Sequence, residues 1–169
     1  TLFPYTTLFR SGIINIDTGR RIISVINVMG NMCMDNNLNC AFETVDKMLE
    51  KAEGKIKIVD FHAETTSEKR AMGYYLDGRA SVVFGTHTHV QTSDCQILPK
   101  GTGYITDVGM TGTIHSVLGV KTEIIIEKLK TKLPARFDLA SGECKMECSL
   151  FDVDEKTGLC ISAESLRIE

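Results

Sequence analysis

The sequence predicts an α/β fold with a mixed sheet. Three features point there. Short β-branched runs alternate with segments of helical period, the central run at 80–84 is apolar throughout, and the last third turns into a meander of alternating strands. The 169 residues suffice for one domain with its own core. Hydrophobic content of 43% and charged content of 24% are ordinary for a globular chain. A net charge of −3 gives no electrostatic reason to expect long nucleic acid or an anionic membrane as partner. A small anionic substrate stays open, because a bound metal dominates its local field. No apolar run approaches the length that spans a bilayer as a helix, so no membrane partner is expected.

Residues 1–11, from Thr1 to Ser11, lack an initiating Met, a basic region and the long apolar stretch of a signal peptide. The string resembles the in-frame translation of a sequencing adapter. It is set aside as a non-native segment, and natural sequence is expected to begin near Gly12.

From there, residues 13–16 and 21–28 are β-branched runs, with Asp17-Thr18-Gly19 between them as a hairpin turn. Residues 29–40, rich in Asn, Gly and Met, read as a loop. Ala41, Phe42, Val45, Met48, Leu49 and Ala52 share one helical face, and Gly54 stops that helix. Ile56, Ile58 and Val59 begin a strand that runs into Asp60-Phe61-His62. Thr65 with Glu68 makes a capping box that opens a helix to Leu76, ended by Asp77-Gly78. The apolar run 80–84 is a strand buried on both faces, and it runs into Gly85-Thr86-His87-Thr88-His89. Residues 103–108 form another strand before the Gly-rich loop 109–119. Thr122–Lys130 is a short amphipathic helix. After Pro134 the meander takes 135–140, 143–153, a turn at 155–158, and 159–168.

None of the six cysteines forms a CxxC pair. Cys144 and Cys148 alternate with charged neighbours and are expected to face the core as small hydrophobes. Without a secretory signal, a disulfide framework is not expected, and the cytoplasm is the expected compartment.

Three of the four histidines follow strand ends. Ligands of open α/β sheets bind beyond the carboxyl ends of the strands. If the strands ending at His62 and before His87 are neighbours, His62, His87 and His89 meet at one rim. In an extended segment residues i and i+2 point the same way, so His87 and His89 face one ion or serve two adjacent ones. Neutral imidazole binds a divalent ion at about 2.0–2.2 Å. Gly85 permits close backbone approach, and Thr86 and Thr88 are placed to fix the loop by hydrogen bonds. Around this set, Glu64 either orients a ligand or sits as a carboxylate at a helix N-terminus. Asp107 faces the site or serves a turn, Arg79 is expected in a solvated salt bridge, and Lys69 and Arg70 on a helix surface. His115 is read as an exposed loop residue.

The motifs Asp60-Phe61-His62-Ala63-Glu64, Thr66-Ser67-Glu68-Lys69 and Asp77-Gly78-Arg79-Ala80 belong together with Gly85-Thr86-His87-Thr88-His89-Val90-Gln91-Thr92. So do Leu98-Pro99-Lys100-Gly101-Thr102 and Ile105-Thr106-Asp107-Val108-Gly109-Met110-Thr111-Gly112. Together they resemble the bacterial YmdB-like family of calcineurin-type metallophosphoesterases, described as 2′,3′-cyclic-nucleotide 2′-phosphodiesterases. The likeness covers residues 12–169. It implies that this stretch is the C-terminal portion of a single metallophosphoesterase domain, a four-layer α/β/β/α sandwich with two divalent metal ions, iron or manganese. It also implies that His62 and His87 bind one metal and His89 the other. The family's further ligands (an Asp, a bridging Glu and two Asn) and its catalytic His have no counterpart here, so this chain is expected to be inactive as written. Asn31 stands where relatives often have Arg, and the loop 113–116 departs from the usual Gly-Pro form, which touches substrate contacts more than the metal site.

The substrate implied is a small phosphodiester, a 2′,3′-cyclic nucleotide above all. Homo-oligomer formation is left open. Two rivals stand beside this reading. One is an HxH metal hydrolase of the amidohydrolase kind, against which His62 precedes the pair by 25 residues. The other is a non-catalytic regulatory or interaction protein that retains the fold.

Overall fold

The computed structural model describes residues 12–34 and 38–169. The reading of residues 1–11 as non-native, and of 35–37 as loop, lies outside the described residues.

β1 (Gly12–Asp17) and β2 (Ile22–Met29) form the expected antiparallel hairpin. Gly19 turns it with φ 76°, its N–H bonded to Asp17 Oδ1 at 2.7 Å. β2 leads through α1 (Ala41–Leu49) to β3 (Ile56–His62), and β3 leads through α2 (Thr66–Leu76) to β4 (Val82–Thr86). Two short strands follow, β5 (Gln96–Ile97) and β6 (Gly103–Ile105). The sheet order is β1-β2-β3-β4-β6-β5, with β2, β3, β4 and β6 parallel and the two edge strands antiparallel. The fold is thus α/β with a mixed sheet, as the sequence predicts.

One face of this sheet is packed by the helices. Ile26, Val28, Val59, Phe61 and Val83 meet Val45 of α1 and Met72 and Leu76 of α2, all fully or almost fully buried. A three-stranded antiparallel sheet of β7 (Thr111–Thr113), β8 (Cys144–Val153) and β9 (Cys160–Ile168) covers the β6 end of the other face. Gly103 marks that contact, since a Cβ there would meet Phe151 and the Cys160 sulfur below 3 Å. Over β1 the same face is open, with Ile14 at 39% and Ile16 at 44% exposure. A third helix, α3 (Thr122–Thr131), buries none of its residues.

Four expectations are corrected. The strand at 103–108 ends at Ile105, because Asp94 Oδ1 takes the N–H of Thr106 at 3.1 Å and Thr92 Oγ1 that of Asp107 at 3.0 Å. Backbone donors satisfied by side chains leave no ladder to extend. The Gly-rich loop contains β7. Residues 135–140 make no strand, only an isolated bridge from Leu139 to Val120. In β8 the alternation is right but its phase is inverted: Cys144 is exposed and Cys148 half-buried, while Glu147 and Phe151 turn inward. Glu147 does so because its carboxylate accepts the N–H of Met110 at 3.2 Å.

Candidate metal centre

β2, β3, β4 and β6 are parallel, so their carboxyl ends share one edge, and the candidate residues lie along it. His62 is the last residue of β3, opposite Thr86, the last of β4. That register brings the next residue, His87, back over His62. The two rings meet edge to face, centroids 4.8 Å apart, with His87 Nδ1 and His62 Nε2 separated by 3.1 Å. Burial, and next the His87 ring beside it, hold the His62 pKa below the ordinary histidine value and favour its neutral, ligating form.

His87 Nε2 meets Glu64 Oε2 at 2.7 Å. Of the two roles open to Glu64, orienting a histidine ring is therefore the one with a contact. His89 follows with φ 63°, after His87 with φ 107°, both in the left-handed region that costs a non-glycine residue about 1–3 kcal/mol. Among the described residues His89 makes no hydrogen bond. Nor is any group of three or more His, Cys, Asp or Glu arranged there to hold a metal.

The donor chemistry of the pair fits a cation. Two imidazole nitrogens bound to one ion at about 2.0–2.2 Å lie about 2.8–3.6 Å apart at neighbouring octahedral or tetrahedral positions. The observed 3.1 Å lies within that range.

What keeps the strained loop in place is a feature the sequence did not betray. Lys69 and Asp107 are each 1% exposed, and Lys69 Nζ bonds Asp107 Oδ2 at 2.8 Å. The expectation of a surface Lys69 is thereby corrected. Asp107 Oδ2 also accepts the backbone N–H of Thr88 at 3.0 Å and its hydroxyl at 2.7 Å, while Oδ1 takes the N–H of Gly109. Thr88 lies between the two histidines of the loop, so the buried pair pins the loop at its centre. Burial alone would raise the Asp107 pKa. The Lys69 ammonium and the Gly109 and Thr88 donors outweigh it, and the value falls below the usual carboxylate range.

Glu68 is the neighbouring anchor. Thr65 Oγ1 caps its N–H at 3.3 Å as expected, but the Glu68 carboxylate does not close the capping box. Its two oxygens instead accept the N–H groups of Asn31 at 3.0 Å and Met32 at 3.3 Å, in the loop after β2.

The remaining residues fall outside the rim cluster. Arg79 pairs with Asp46 at 2.5 Å and stacks on Tyr75, the salt bridge expected of it. Arg70, half-buried, packs between Tyr74 and Tyr104 and reaches Asp94 at 3.4 Å. His115 is exposed, as read from the sequence.

Comparison with known proteins places these features in a family. The family described as YmdB-like protein matches residues 9–166. The 2′,3′-cyclic-nucleotide 2′-phosphodiesterase of Bacillus subtilis strain 168 is 44% identical over 159 residues, covering 93% of this chain and 60% of that protein. A putative phosphatase/phosphodiesterase of Mycoplasma pneumoniae is 34% identical over 170 residues, covering 99% of this chain and again 60% of the relative. Among solved structures, a hypothetical protein from Thermus thermophilus superposes with a TM-score of 0.87 at 39% identity, covering 93% of this chain and 61% of that one. A novel phosphatase of Mycoplasma pneumoniae superposes at 0.84 with 34% identity, covering 94% of this chain and 57% of that one. The chain therefore spans about three fifths of the length of the relatives it matches. With a family match over nearly all its residues and the same fold in solved relatives, the chain belongs to the YmdB-like protein family.

Proposed function

We propose that this chain is part of a metal-dependent phosphodiesterase that hydrolyses 2′,3′-cyclic nucleotides and related small phosphodiesters. The observation that carries the proposal is the convergence of His62 and His87 at the carboxyl edge of the sheet, nitrogens 3.1 Å apart. The names of the relatives support it: a cyclic-nucleotide phosphodiesterase and a putative phosphatase/phosphodiesterase.

In this proposal His62 and His87 hold one divalent ion and His89 contributes to a second, iron or manganese in each case. The ions supply Lewis acidity, charge neutralisation of the phosphate, and activation of water. The chain's own residues do the positioning. Glu64 orients His87, and the Lys69–Asp107 pair fixes the loop between His87 and His89. Cleavage of the 2′ bond leaves a 3′-phosphate. The cytoplasm is the compartment proposed for it.

A dinuclear centre needs more ligands than three imidazoles. The isolated 169-residue chain is expected to bind Mn²⁺ weakly and to hydrolyse bis-p-nitrophenyl phosphate at background rate. Titration calorimetry should show Mn²⁺ affinity falling at least about tenfold in His62→Ala and His87→Ala. Wild-type affinity in both variants would refute the metal site. Brisk turnover by the isolated chain would refute the need for further ligands. A chain extended to the relatives' full length should convert 2′,3′-cyclic AMP to its 3′-phosphate; metal binding without hydrolysis would favour the non-catalytic regulatory reading.

A further inference from the structure

Along the edge of the site runs an unbroken line of hydrogen bonds: Asn27, Asp60, Thr86, His62. Asn27 lies opposite Asp60 across β2 and β3, and His62 lies opposite Thr86 across β3 and β4. Side chains of one strand alternate between faces, so all four stand on the same side of the sheet. Asn27 Nδ2 donates to Asp60 Oδ2 at 2.8 Å. Thr86 Oγ1 donates to Asp60 Oδ1, also at 2.8 Å. Thr86 Oγ1 then lies 3.0 Å from His62 Nδ1.

The direction of the last bond follows from counting hydrogens. A carboxylate has none to give, so both of its contacts must be donated to it. A hydroxyl has one hydrogen, and Thr86 has committed it to Asp60. Toward His62 it has only a lone pair left, and the ring nitrogen facing it must carry the hydrogen. A neutral imidazole has a single N–H. With that hydrogen on Nδ1, the lone pair is on Nε2, the nitrogen that faces His87 at 3.1 Å.

We propose that Thr86, oriented by Asp60, is a positioning residue that locks His62 in its Nδ1–H tautomer and so presents Nε2 as the nitrogen available to a divalent cation. An isolated histidine side chain prefers the opposite tautomer, so the lock reverses an intrinsic preference. It also divides labour between the two threonines of Gly-Thr-His-Thr-His. Thr86 gives its hydrogen to Asp60 and selects a ring nitrogen. Thr88 gives its hydrogen to Asp107 and fixes the backbone. The β-branched side chain suits Thr86 to this task, because its χ1 is restricted and its hydroxyl is held in direction. The cation half of the proposal rests on the function proposed above; the tautomer is a property of the metal-free chain.

The test is a long-range ¹H–¹⁵N correlation spectrum of the full 169-residue chain, labelled at histidine, metal-free and then titrated with Zn²⁺. His62 is expected to show a pyrrole-type Nδ1 and a pyridine-type Nε2. Thr86→Val, which keeps the shape and removes the hydroxyl, is expected to move His62 toward the Nε2–H form and to weaken Zn²⁺ binding about 10–100-fold. Thr86→Ser is expected to restore the wild-type pattern, which separates the hydroxyl's role from packing. A wild-type His62 protonated at Nε2, or a Thr86→Val spectrum identical to wild type, overturns the lock. If Zn²⁺ leaves the His62 nitrogens unmoved while the metal-free pattern is as expected, the cation half falls and the tautomer assignment stands.

Discussion

Lys69 and Asp107 form an ion pair taken wholly out of water, and their worth lies in what they hold. A buried pair gains little over an apolar substitute, but removing one partner strands the other and costs about 3–5 kcal/mol. The acid response has a definite sign. The Asp107 pKa is depressed in the folded state, so its stabilisation is complete above the unfolded carboxylate value of about 3.9 and is lost as pH falls through the lower folded value. Lys69→Met is therefore expected to lower unfolding stability at neutral pH by about 3–5 kcal/mol and to flatten the loss of stability on acidification. Urea midpoints followed from neutral to acid pH check both; coincident curves for variant and wild type would show that the pair carries no load. The helical period places Lys69, unlike its neighbour Arg70, on the face of Met72 and Leu76, but residue type argues the other way. A lysine on a helix is by default a surface residue, and only the fold reveals the aspartate, 38 positions later, that makes its burial tolerable.

Among the elements, β4 carries the glycine with the closest backbone approach. Gly85 would carry a Cβ only 1.8 Å from the carbonyl oxygen of Thr106, because β4 and the segment after β6 are in backbone contact through the Val108 N–H and the Gly85 carbonyl at 3.0 Å. Gly85→Ala is expected to cost about 1–3 kcal/mol as the two segments are forced apart. Gly12→Ala, at a position with no atom within 4 Å, should change stability by less than about 0.5 kcal/mol. Thermal unfolding of the two variants measures the contrast, and equal melting temperatures would contradict it. The hairpin, α1, α2 and the strands before His62 and His87 were legible because their signals are local: a turn at Gly19, apolar period, a cap at Thr65. Residues 103–108 and 135–140 misled because a segment of strand-like pattern becomes a strand only if a neighbour offers a ladder. Past Ile105 side chains take the backbone donors, and Leu139 meets a single residue. His62 and His87 were legible as residues at neighbouring strand ends, but their contact depends on a register that periodicity does not encode, and among the described residues no contact joins His89 to them.

At the scale of the whole molecule, apolar surface is distributed unevenly. The helix-covered face of the large sheet is closed, while Ile14 and Ile16 on the other face, and Leu150 and Ile161 in the small sheet, are between 39% and 65% exposed. Exposed apolar side chains of this kind promote association. The chain is expected to bind a hydrophobic fluorescent dye and to self-associate as concentration rises, both effects diminishing in Ile14→Lys with Ile16→Lys. Fluorescence titration with sedimentation velocity tests this, and a monomeric, dye-silent wild type would contradict it. The sequence marks Ile14 and Ile16 only as members of a β-branched run. Which sides lack a covering layer is settled only by how the two sheets lie against each other.

The adjacent anchors Glu68 and Lys69 give α2 a mechanical consequence. One grips the chain leaving β2, the other, through Asp107, the chain leaving β4. A single turn of helix thus acts as a tie-rod between the loops that leave β2 and β4, on either side of the end of β3. If the rod tilts, both loops travel together, and their spacing is preserved while their position shifts.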